Sequence, residues 1–165
     1  MAEATESSDR EVLTWDLYGR GVRDLAQLIA DDGFRPDIIL GIARGGLIPA
    51  GSIGYALSIK NTYLMNVEYY TDIDERLDVP VILPPYLDMV ELGDADVLIV
   101  DDVADTGHTL AKVYEFVEDK VNTARAAVLY EKPQSVIQCE YVWKRTDKWI
   151  NFPWSSEPPI RAPGD

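Results

Sequence analysis

Residues 101–109 combine carboxylates, hydroxyls and a glycine, which together suit the binding of a phosphate ester. Gly107 has no Cβ, so neighbouring backbone N–H groups can approach an anion closely. Thr106 and Thr109 add hydroxyl donors, and a helical pattern from Leu110 directs the positive end of a helix dipole to the same place. We therefore expect a phosphate-binding loop in this stretch.

Three aspartates in the same stretch need another role, because carboxylates repel a phosphate. Asp101 and Asp102 follow the apolar run 97–100, and they suit the binding of sugar hydroxyls, or of Mg²⁺ directly or through water. Asp105 lies within the loop, where it could hydrogen-bond the loop backbone or act as a base on a bound substrate. Simple helix capping explains each residue separately, but it explains the whole pattern poorly.

A second glycine-containing turn, residues 43–46, lies between a predicted strand and a predicted helix. Gly45 and Gly46 permit the close approach of a ligand, and Arg44 can hold phosphate oxygens through two parallel hydrogen bonds. Taken alone, this stretch fits a tight strand-to-helix turn with a surface arginine equally well.

The elements that must position these residues alternate between strands and helices. Apolar residues at helical spacing predict helices over 15–31, 47–57 and 110–120. Short apolar runs predict strands at 37–41, 61–67, 79–83, 97–100, 124–130 and 141–143. This order predicts an α/β fold with a central, mainly parallel sheet flanked by helices. In such sheets ligands bind at the carboxyl ends of the strands, where both glycine-containing segments fall.

Composition narrows the class of protein. The chain has 165 residues and a formal net charge of −14, which predicts one domain that binds neither nucleic acid nor an anionic membrane surface. No apolar run is long enough to span a membrane, and the N-terminus does not have the pattern of a signal peptide. Cys139 is the only cysteine, so we expect a cytoplasmic protein without an intrachain disulfide. We expect a domain at 11–160 between a flexible N-terminal tail at 1–10 and a C-terminal tail at 161–165.

The segment 68–96 is long and charged for a connection within a compact domain, which favours a functional loop. Tyr69 and Tyr70 lie at its start, where they could contact a substrate or simply pack as surface or core aromatics. His108, the only histidine, fits a helix cap or a solvent-facing side chain better than a catalytic base.

Two residues in the C-terminal third suit the recognition of a planar base. Lys132 directly follows a predicted strand, at the same sheet edge as the two glycine-containing segments, and it can donate to a carbonyl oxygen. Trp149 lies in a short segment rich in aromatics, 147–154, and it can stack on a ring. Taken singly, a solvated lysine and a tryptophan packed on the domain are the commoner cases.

The pattern Asp-Asp-x-x-Asp-Thr-Gly-x-Thr at 101–109 resembles the phosphoribosyl pyrophosphate (PRPP) loop of the type I phosphoribosyltransferases. Residues 13–16, 43–46, 132–133 and 149–154 extend the resemblance to the bacterial xanthine-guanine phosphoribosyltransferases. The resemblance implies transfer of a phosphoribosyl group from PRPP to a 6-oxopurine, with Mg²⁺ as cofactor, in a homodimer or homotetramer. It also implies the fold of that family, in which a small C-terminal hood segment binds the base.

The resemblance assigns roles to individual residues. PRPP would be bound by residues of both glycine-containing segments, namely Ala43, Arg44, Gly45, Gly46, Asp101, Asp102, Val103, Ala104, Asp105, Thr106, Gly107, His108 and Thr109. Asp101 and Asp102 would also hold the metal. Asp105 would be the catalytic residue, as proton acceptor near the purine N7. The purine would be bound by Lys132 at its 6-oxygen, by Trp149 through stacking and by Ile150 through the backbone.

Two other functions stay open at this point. One is a phosphoribosyltransferase for another base, and the other is a regulator that senses PRPP or a nucleotide on the same fold. The presence of Asp105 and of an apparent base site favours the enzyme. The lack of arginine and lysine clusters argues against a regulator that binds nucleic acid.

Overall fold

The computed structural model describes residues 9–69, 80–83 and 92–161. Three helices lie within these ranges, namely α1 (Trp15–Asp31), α2 (Leu47–Leu57) and α3 (His108–Val117). The strands of the same ranges are β1 (Arg10–Val12), β2 (Ile38–Ala43), β3 (Thr62–Tyr69), β4 (Pro80–Leu83), β5 (Asp96–Ala104), β6 (Thr123–Glu131), β7 (Tyr141–Arg145) and β8 (Trp149–Asn151). None of the described helices has the length and hydrophobicity that a membrane span needs.

Six strands form the central sheet, in the order β4-β3-β2-β5-β6-β7. The pairs β2–β3, β2–β5, β5–β6 and β6–β7 are parallel, and β4 adds an antiparallel edge to β3. β2 and β5 therefore lie side by side in the middle of the sheet, with β6 next to β5. This arrangement brings the carboxyl ends of β2, β5 and β6 to one edge, and it confirms the predicted fold class.

Alternate residues of the central strands supply the two cores of the domain. Leu98 and Leu129 lie in the core that includes the buried side chains of α1 and α2. Ile99 and Val128 belong to the opposite core, with the buried side chains of α3. The helices therefore cover both faces of the sheet, which is why β5 and β6 are apolar at consecutive positions in their middle parts, 97–100 and 126–130.

Helices α1 and α2 have the predicted bounds. The Thr14 side chain accepts a hydrogen bond from the Leu17 backbone N–H at 3.2 Å, which caps the first turn of α1. Ser58 adopts a left-handed conformation with φ of 59°, and this residue ends α2. The remaining predicted strands agree with the structure to within two residues at each end, apart from β5.

Two predicted boundaries next to the glycine-rich loop are wrong. β5 ends at Ala104 rather than at Val100, because its parallel pairing with β6 continues as far as the pair Ala104–Glu131. α3 spans His108–Val117 instead of 110–120, because Gly107, with φ of 81°, turns the chain directly into the helix. The loop between strand and helix is therefore shorter than the sequence predicts.

A second, two-stranded sheet lies apart from the central one, and we call it the hood. Its strands are β1 and β8, which pair in parallel with Arg10 opposite Trp149 and Val12 opposite Asn151. The sequence predicts neither strand, and it places Arg10 in a tail. Residues 1–8 and 162–165, which make up most of the two predicted tails, lie outside the described residues.

Candidate active site

Three loops meet at the carboxyl edge of the central sheet. They are the glycine turn (43–46) after β2, the phosphate loop (105–109) after β5 and the lysine turn (132–137) after β6. The pairing of Gly41 with Val100 and of Ala104 with Glu131 sets these strand ends beside one another. The structure therefore brings together the predicted PRPP-binding and purine-binding segments.

The glycine turn packs so closely on β5 that its two glycines have no space for a side chain. A Cβ on Gly45 would collide with the Asp102 carboxyl group, and one on Gly46 would lie 2.6 Å from the carbonyl oxygen of Ile42. Backbone hydrogen bonds close the turn, from Gly46 N–H to the Ile42 carbonyl at 2.8 Å and from Leu47 N–H to the Arg44 carbonyl at 3.1 Å. The peptide bond between Ala43 and Arg44 is cis.

Arg44 extends from this turn into solvent. No ion pair joins its guanidinium to a carboxylate among the described residues, so its donors are available to an anionic ligand. The carboxyl group of Asp102 in β5 contacts the same turn at Gly45. The turn therefore combines an exposed cation with backbone that lies directly against a carboxylate.

Asp101 and Asp102 lie in the last part of β5, not in a loop after it. Asp101 is buried, and its Oδ1 accepts a hydrogen bond from the Asp102 backbone N–H at 2.9 Å. Burial raises the pKa of Asp101 well above its usual range, and repulsion from Asp102 adds to this effect. Burial also raises the pKa of Asp102, although hydrogen bonds to its charged form, that of Asp101 first, oppose the change. Burial therefore opposes the presence of a negative charge on both carboxylates at once.

The same pair fits the Mg²⁺ that the sequence resemblance implies. Asp101 is buried and Asp102 is half-buried, and a cation that neutralises the two carboxylates relieves their repulsion. No group of three or more acidic, histidine or cysteine side chains in the described residues could hold a metal on its own. Mg²⁺ commonly takes one or two carboxylates and completes its shell with water and substrate phosphates, so Asp101 and Asp102 are sufficient protein ligands.

The phosphate loop leads straight into α3. Gly107 is the N-cap residue, and the Thr106 carbonyl accepts a hydrogen bond from the Val136 N–H at 2.8 Å. A Cβ on Gly107 would lie 3.0 Å from the Val136 nitrogen, so this glycine allows both the positive φ and the contact between the two loops. His108, the first residue of α3, is exposed. The loop therefore presents backbone N–H groups and hydroxyls at a helix N-terminus, as predicted.

Asp105, Lys132 and Trp149 converge beside this loop. The Lys132 Nζ lies 3.7 Å from the Asp105 Oδ1 and 5.5 Å from the centre of the Trp149 ring. Lys132 is only 8% exposed, whereas the Trp149 side chain on the hood is 63% exposed and offers a flat apolar surface. Ile150 follows in β8, with its side chain buried and its backbone paired to β1. The predicted catalytic residue and the predicted purine-binding residues therefore share one site.

Sequence reasoning missed Gln134 at this site. Its side-chain amide donates to the Asp105 Oδ1 at 2.7 Å, the shorter of the two contacts to that oxygen. The Trp154 side chain has a smaller effect at the same site, since it lowers the pKa of Asp102. Its ring stacks on Phe152 at 5.0 Å, which joins it to the core between α1 and the hood. The sequence carries no signal for either contact, because both depend on how distant loops pack.

Part of the predicted functional loop, 68–96, lies outside the described residues. Residues 70–79 and 84–91 are not described, and they include Tyr70. Tyr69 ends β3, which leaves the sheet at the same edge as the three loops.

Comparison with known proteins places this arrangement in a family. The xanthine-guanine phosphoribosyltransferase of Roseobacter denitrificans is 34% identical over 153 residues, which cover 86% of this chain and 83% of that protein. The crystal structure of a purine phosphoribosyltransferase from Pyrococcus horikoshii matches with a TM-score of 0.77 and 38% identity, over 93% of this chain and 99% of that one. A protein of Neisseria gonorrhoeae with bound ppGpp matches with a TM-score of 0.75 and 25% identity, over 89% of each chain. A family model, that of the phosphoribosyl transferase domain, matches residues 9–160. The chain therefore belongs to the phosphoribosyltransferase family.

Proposed function

We propose that this protein transfers the 5-phosphoribosyl group of PRPP to a 6-oxopurine (guanine, hypoxanthine or xanthine) in a Mg²⁺-dependent reaction of purine salvage. The products are the purine nucleoside 5′-monophosphate and pyrophosphate. The observation that carries the proposal is the convergence of Asp105, Lys132 and Trp149 next to the phosphate loop. The names of the relatives, one a xanthine-guanine and one a purine phosphoribosyltransferase, support the same substrate class.

The PRPP end of the site is assigned to the two glycine-containing loops. Thr106, Thr109 and the backbone around Gly107 would bind the 5′-phosphate at the N-terminus of α3. Arg44 and the glycine turn would bind the pyrophosphate. The ribose hydroxyls would lie against the carboxylate pair of β5, where bound Mg²⁺ supplies positive charge to the departing pyrophosphate.

The purine end is assigned to the lysine turn and the hood. Lys132 is a donor without an acceptor function, so it favours a carbonyl oxygen at purine position 6 over an amino group. The exposed face of Trp149 would stack on the ring, and the backbone of Ile150 would contact the purine edge. Because the Lys132 Nζ is within 3.7 Å of Asp105, a ring whose 6-oxygen meets the lysine has its N7 side close to the carboxylate.

The reaction then needs one bond to break, one to form and one proton to move. The bond between C1 of the ribose and the pyrophosphate oxygen breaks, and its electron pair leaves with the pyrophosphate. A purine nitrogen donates its pair to C1, through a transition state that resembles the oxocarbenium ion of glycosyl transfer. Asp105 accepts the proton that the purine loses.

Two alternative functions differ from the proposed one in defined parts of the site or of the reaction. A transferase for another base keeps the PRPP half of the site and changes the half around Lys132. A regulator that senses PRPP or a nucleotide keeps binding and lacks turnover, and the similarity to a protein with bound ppGpp is the observation that favours it.

The decisive experiment measures nucleotide formation from PRPP and Mg²⁺ with guanine, hypoxanthine, xanthine and adenine, one at a time. Turnover with the 6-oxopurines and not with adenine supports the proposal. A preference for adenine contradicts the role of Lys132, and binding of PRPP without any turnover supports the regulator. In the same assay Asp105→Asn should abolish turnover and spare PRPP binding. The control is Asp94→Asn, which changes an exposed residue far from the site and should leave turnover and PRPP binding unchanged.

We also propose that the protein acts in the cytoplasm as a homodimer or homotetramer. A single cysteine is typical of a reducing compartment. Four large apolar side chains are exposed on α2 and β3, namely Tyr55 at 94%, Leu47 and Leu64 at 45% and Tyr63 at 41%. Light scattering of the wild type and of Tyr55→Lys tests the oligomer, because a contact through this face is weakened by a buried charge.

A further inference from the structure

The lysine turn runs alongside the phosphate loop, and backbone hydrogen bonds join the two segments. The Lys132 backbone N–H donates to the Ala104 carbonyl at 2.9 Å, and the Val136 N–H donates to the Thr106 carbonyl at 2.8 Å. Between these two backbone contacts, the Gln134 side chain donates to the Asp105 Oδ1 at 2.7 Å. The turn that carries the purine-binding lysine therefore also holds the predicted base.

The Gln134 contact determines which oxygen of the Asp105 carboxylate is available to accept a proton. Asp105 has a side chain that is 50% exposed, so packing alone does not fix its rotamer. Its Oδ1 lies between the Gln134 amide and the Lys132 ammonium, whereas no hydrogen bond from the described residues reaches its Oδ2. With Oδ1 held in this way, Oδ2 is the oxygen that is available to accept a proton.

The distances also show what the amide prevents. The Lys132 Nζ lies 3.7 Å from Oδ1, which is beyond the range of a good charge-assisted hydrogen bond. If the amide were absent, the lysine could close on Oδ1 and form a direct ion pair. That pair would engage the donor for the purine 6-oxygen and the proton acceptor at the same time.

We propose that Gln134 is a positioning residue for the transfer reaction, which orients Asp105 for proton acceptance and keeps it apart from Lys132. This role rests on the proposed function, because it assigns Asp105 and Lys132 to the purine. The Gln134 amide donates to the Asp105 carboxylate, and not to Arg44 or to the backbone around Gly107, which bind PRPP in the proposed function. Gln134 therefore acts on turnover and on purine binding, and it does not act on PRPP binding.

The test replaces Gln134 with methionine, which keeps the length of the side chain and removes the donor. Gln134→Met should lower kcat by about 10- to 100-fold, the range expected when a hydrogen bond to a charged group is lost. The KM for PRPP should stay within about twofold of the wild-type value. Gln134→Glu should lower kcat further, since its carboxylate repels Asp105 and competes for Lys132.

A matched control separates this role from a structural one. Gln27 donates from its Nε2 to the Asp31 Oδ1 at the same 2.7 Å on the exposed surface of α1, so Gln27→Met removes an equivalent bond far from the site. Gln27→Met should keep the wild-type kcat to within about threefold.

The outcomes distinguish the positioning role from the proposed function. Wild-type kcat in Gln134→Met, or a parallel loss in Gln27→Met, overturns the role of Gln134 and leaves the function intact. A rise in the KM for PRPP that accompanies the fall in kcat also overturns it, since it shows that the whole loop has shifted. Absence of turnover in the wild type with any purine overturns the proposed function and this role together.

Discussion

Replacement of Lys132 by methionine tests the purine half of the site most directly. Methionine has a similar length and remains apolar, so it can occupy the same space beside the Trp149 ring, 5.5 Å from the present ammonium. The change removes the only feature that distinguishes a 6-oxo from a 6-amino group in our interpretation. It leaves the backbone N–H of residue 132, which donates to the Ala104 carbonyl, unchanged.

The expected fall in kcat/KM follows from the loss of one hydrogen bond whose donor is charged. Such a bond contributes about 1.5–3 kcal/mol, so kcat/KM for guanine should fall by about 10- to 150-fold. Stability should change by less than about 1 kcal/mol, because the ion pair to the half-exposed Asp105 is 3.7 Å long and such pairs are weak. The activity loss would then exceed any effect of unfolding.

The assay compares guanine kinetics with the binding of GMP and AMP by calorimetry. Affinity for GMP should fall in Lys132→Met, because the 6-oxygen of GMP loses its hydrogen-bond donor. Affinity for AMP should stay the same or rise, because AMP has no 6-oxygen that could accept from Lys132. Lys148→Met, which removes an exposed lysine next to Trp149, is the control and should resemble the wild type. Equal losses for GMP and AMP, or a fall in kcat/KM of less than threefold, would refute the assignment of Lys132 to position 6.

Three further predictions concern stability and charge. Tyr130→Phe should raise the free energy of unfolding by about 1 kcal/mol in a urea titration. The buried Tyr130 hydroxyl has no hydrogen-bond partner among the described residues, and such a group costs about 1–3 kcal/mol. A loss of stability would show that the hydroxyl has a partner. Without divalent cations, the contribution of Asp101 and Asp102 to stability should be full below the unfolded-state pKa of aspartate and decrease as pH rises through their raised folded-state pKa values. Asp101→Asn should flatten this dependence in unfolding curves measured from pH 4 to 8, and an unchanged slope would contradict it. Finally, kcat/KM for PRPP should rise when ionic strength increases from about 0.01 to 0.15 M. The net charge of −14 repels the substrate, and the Debye length falls from about 30 to 8 Å over this range. A fall in kcat/KM would mean that cations close to the site dominate.

Local signals account for the parts of the fold that could be predicted. Helix α1 follows a capping threonine, and its apolar residues repeat at helical spacing, so both of its ends are encoded within the helix itself. The phosphate loop is encoded in the same way, since Gly107 and the two threonines are contiguous in sequence. The family resemblance rests on these contiguous motifs, and the comparisons confirm it.

Contacts between distant segments account for what could not be predicted. The hood strands have three residues each and pair across an interval of more than 130 residues, so neither has a detectable period. The length of β5 was underestimated because two aspartates look like the end of a strand, whereas pairing with β6 keeps them extended. Gln134 was missed because its role exists only once the lysine turn lies against the phosphate loop.

The register of β5 against β6 explains why the two halves of the proposed site meet. Ala104 pairs with Glu131, so the next residue of each strand, Asp105 and Lys132, must emerge side by side at the same edge. Glu131 is itself buried and holds the turn that follows, because its carboxylate accepts from the Cys139 backbone N–H at 2.7 Å and from Arg145 at 3.0 Å. The proposed base on one loop and the proposed carbonyl-binding lysine on the other are therefore positioned by strand pairing and by the buried Glu131 carboxylate. The half-exposed Asp105 side chain retains the freedom that the Gln134 amide restricts.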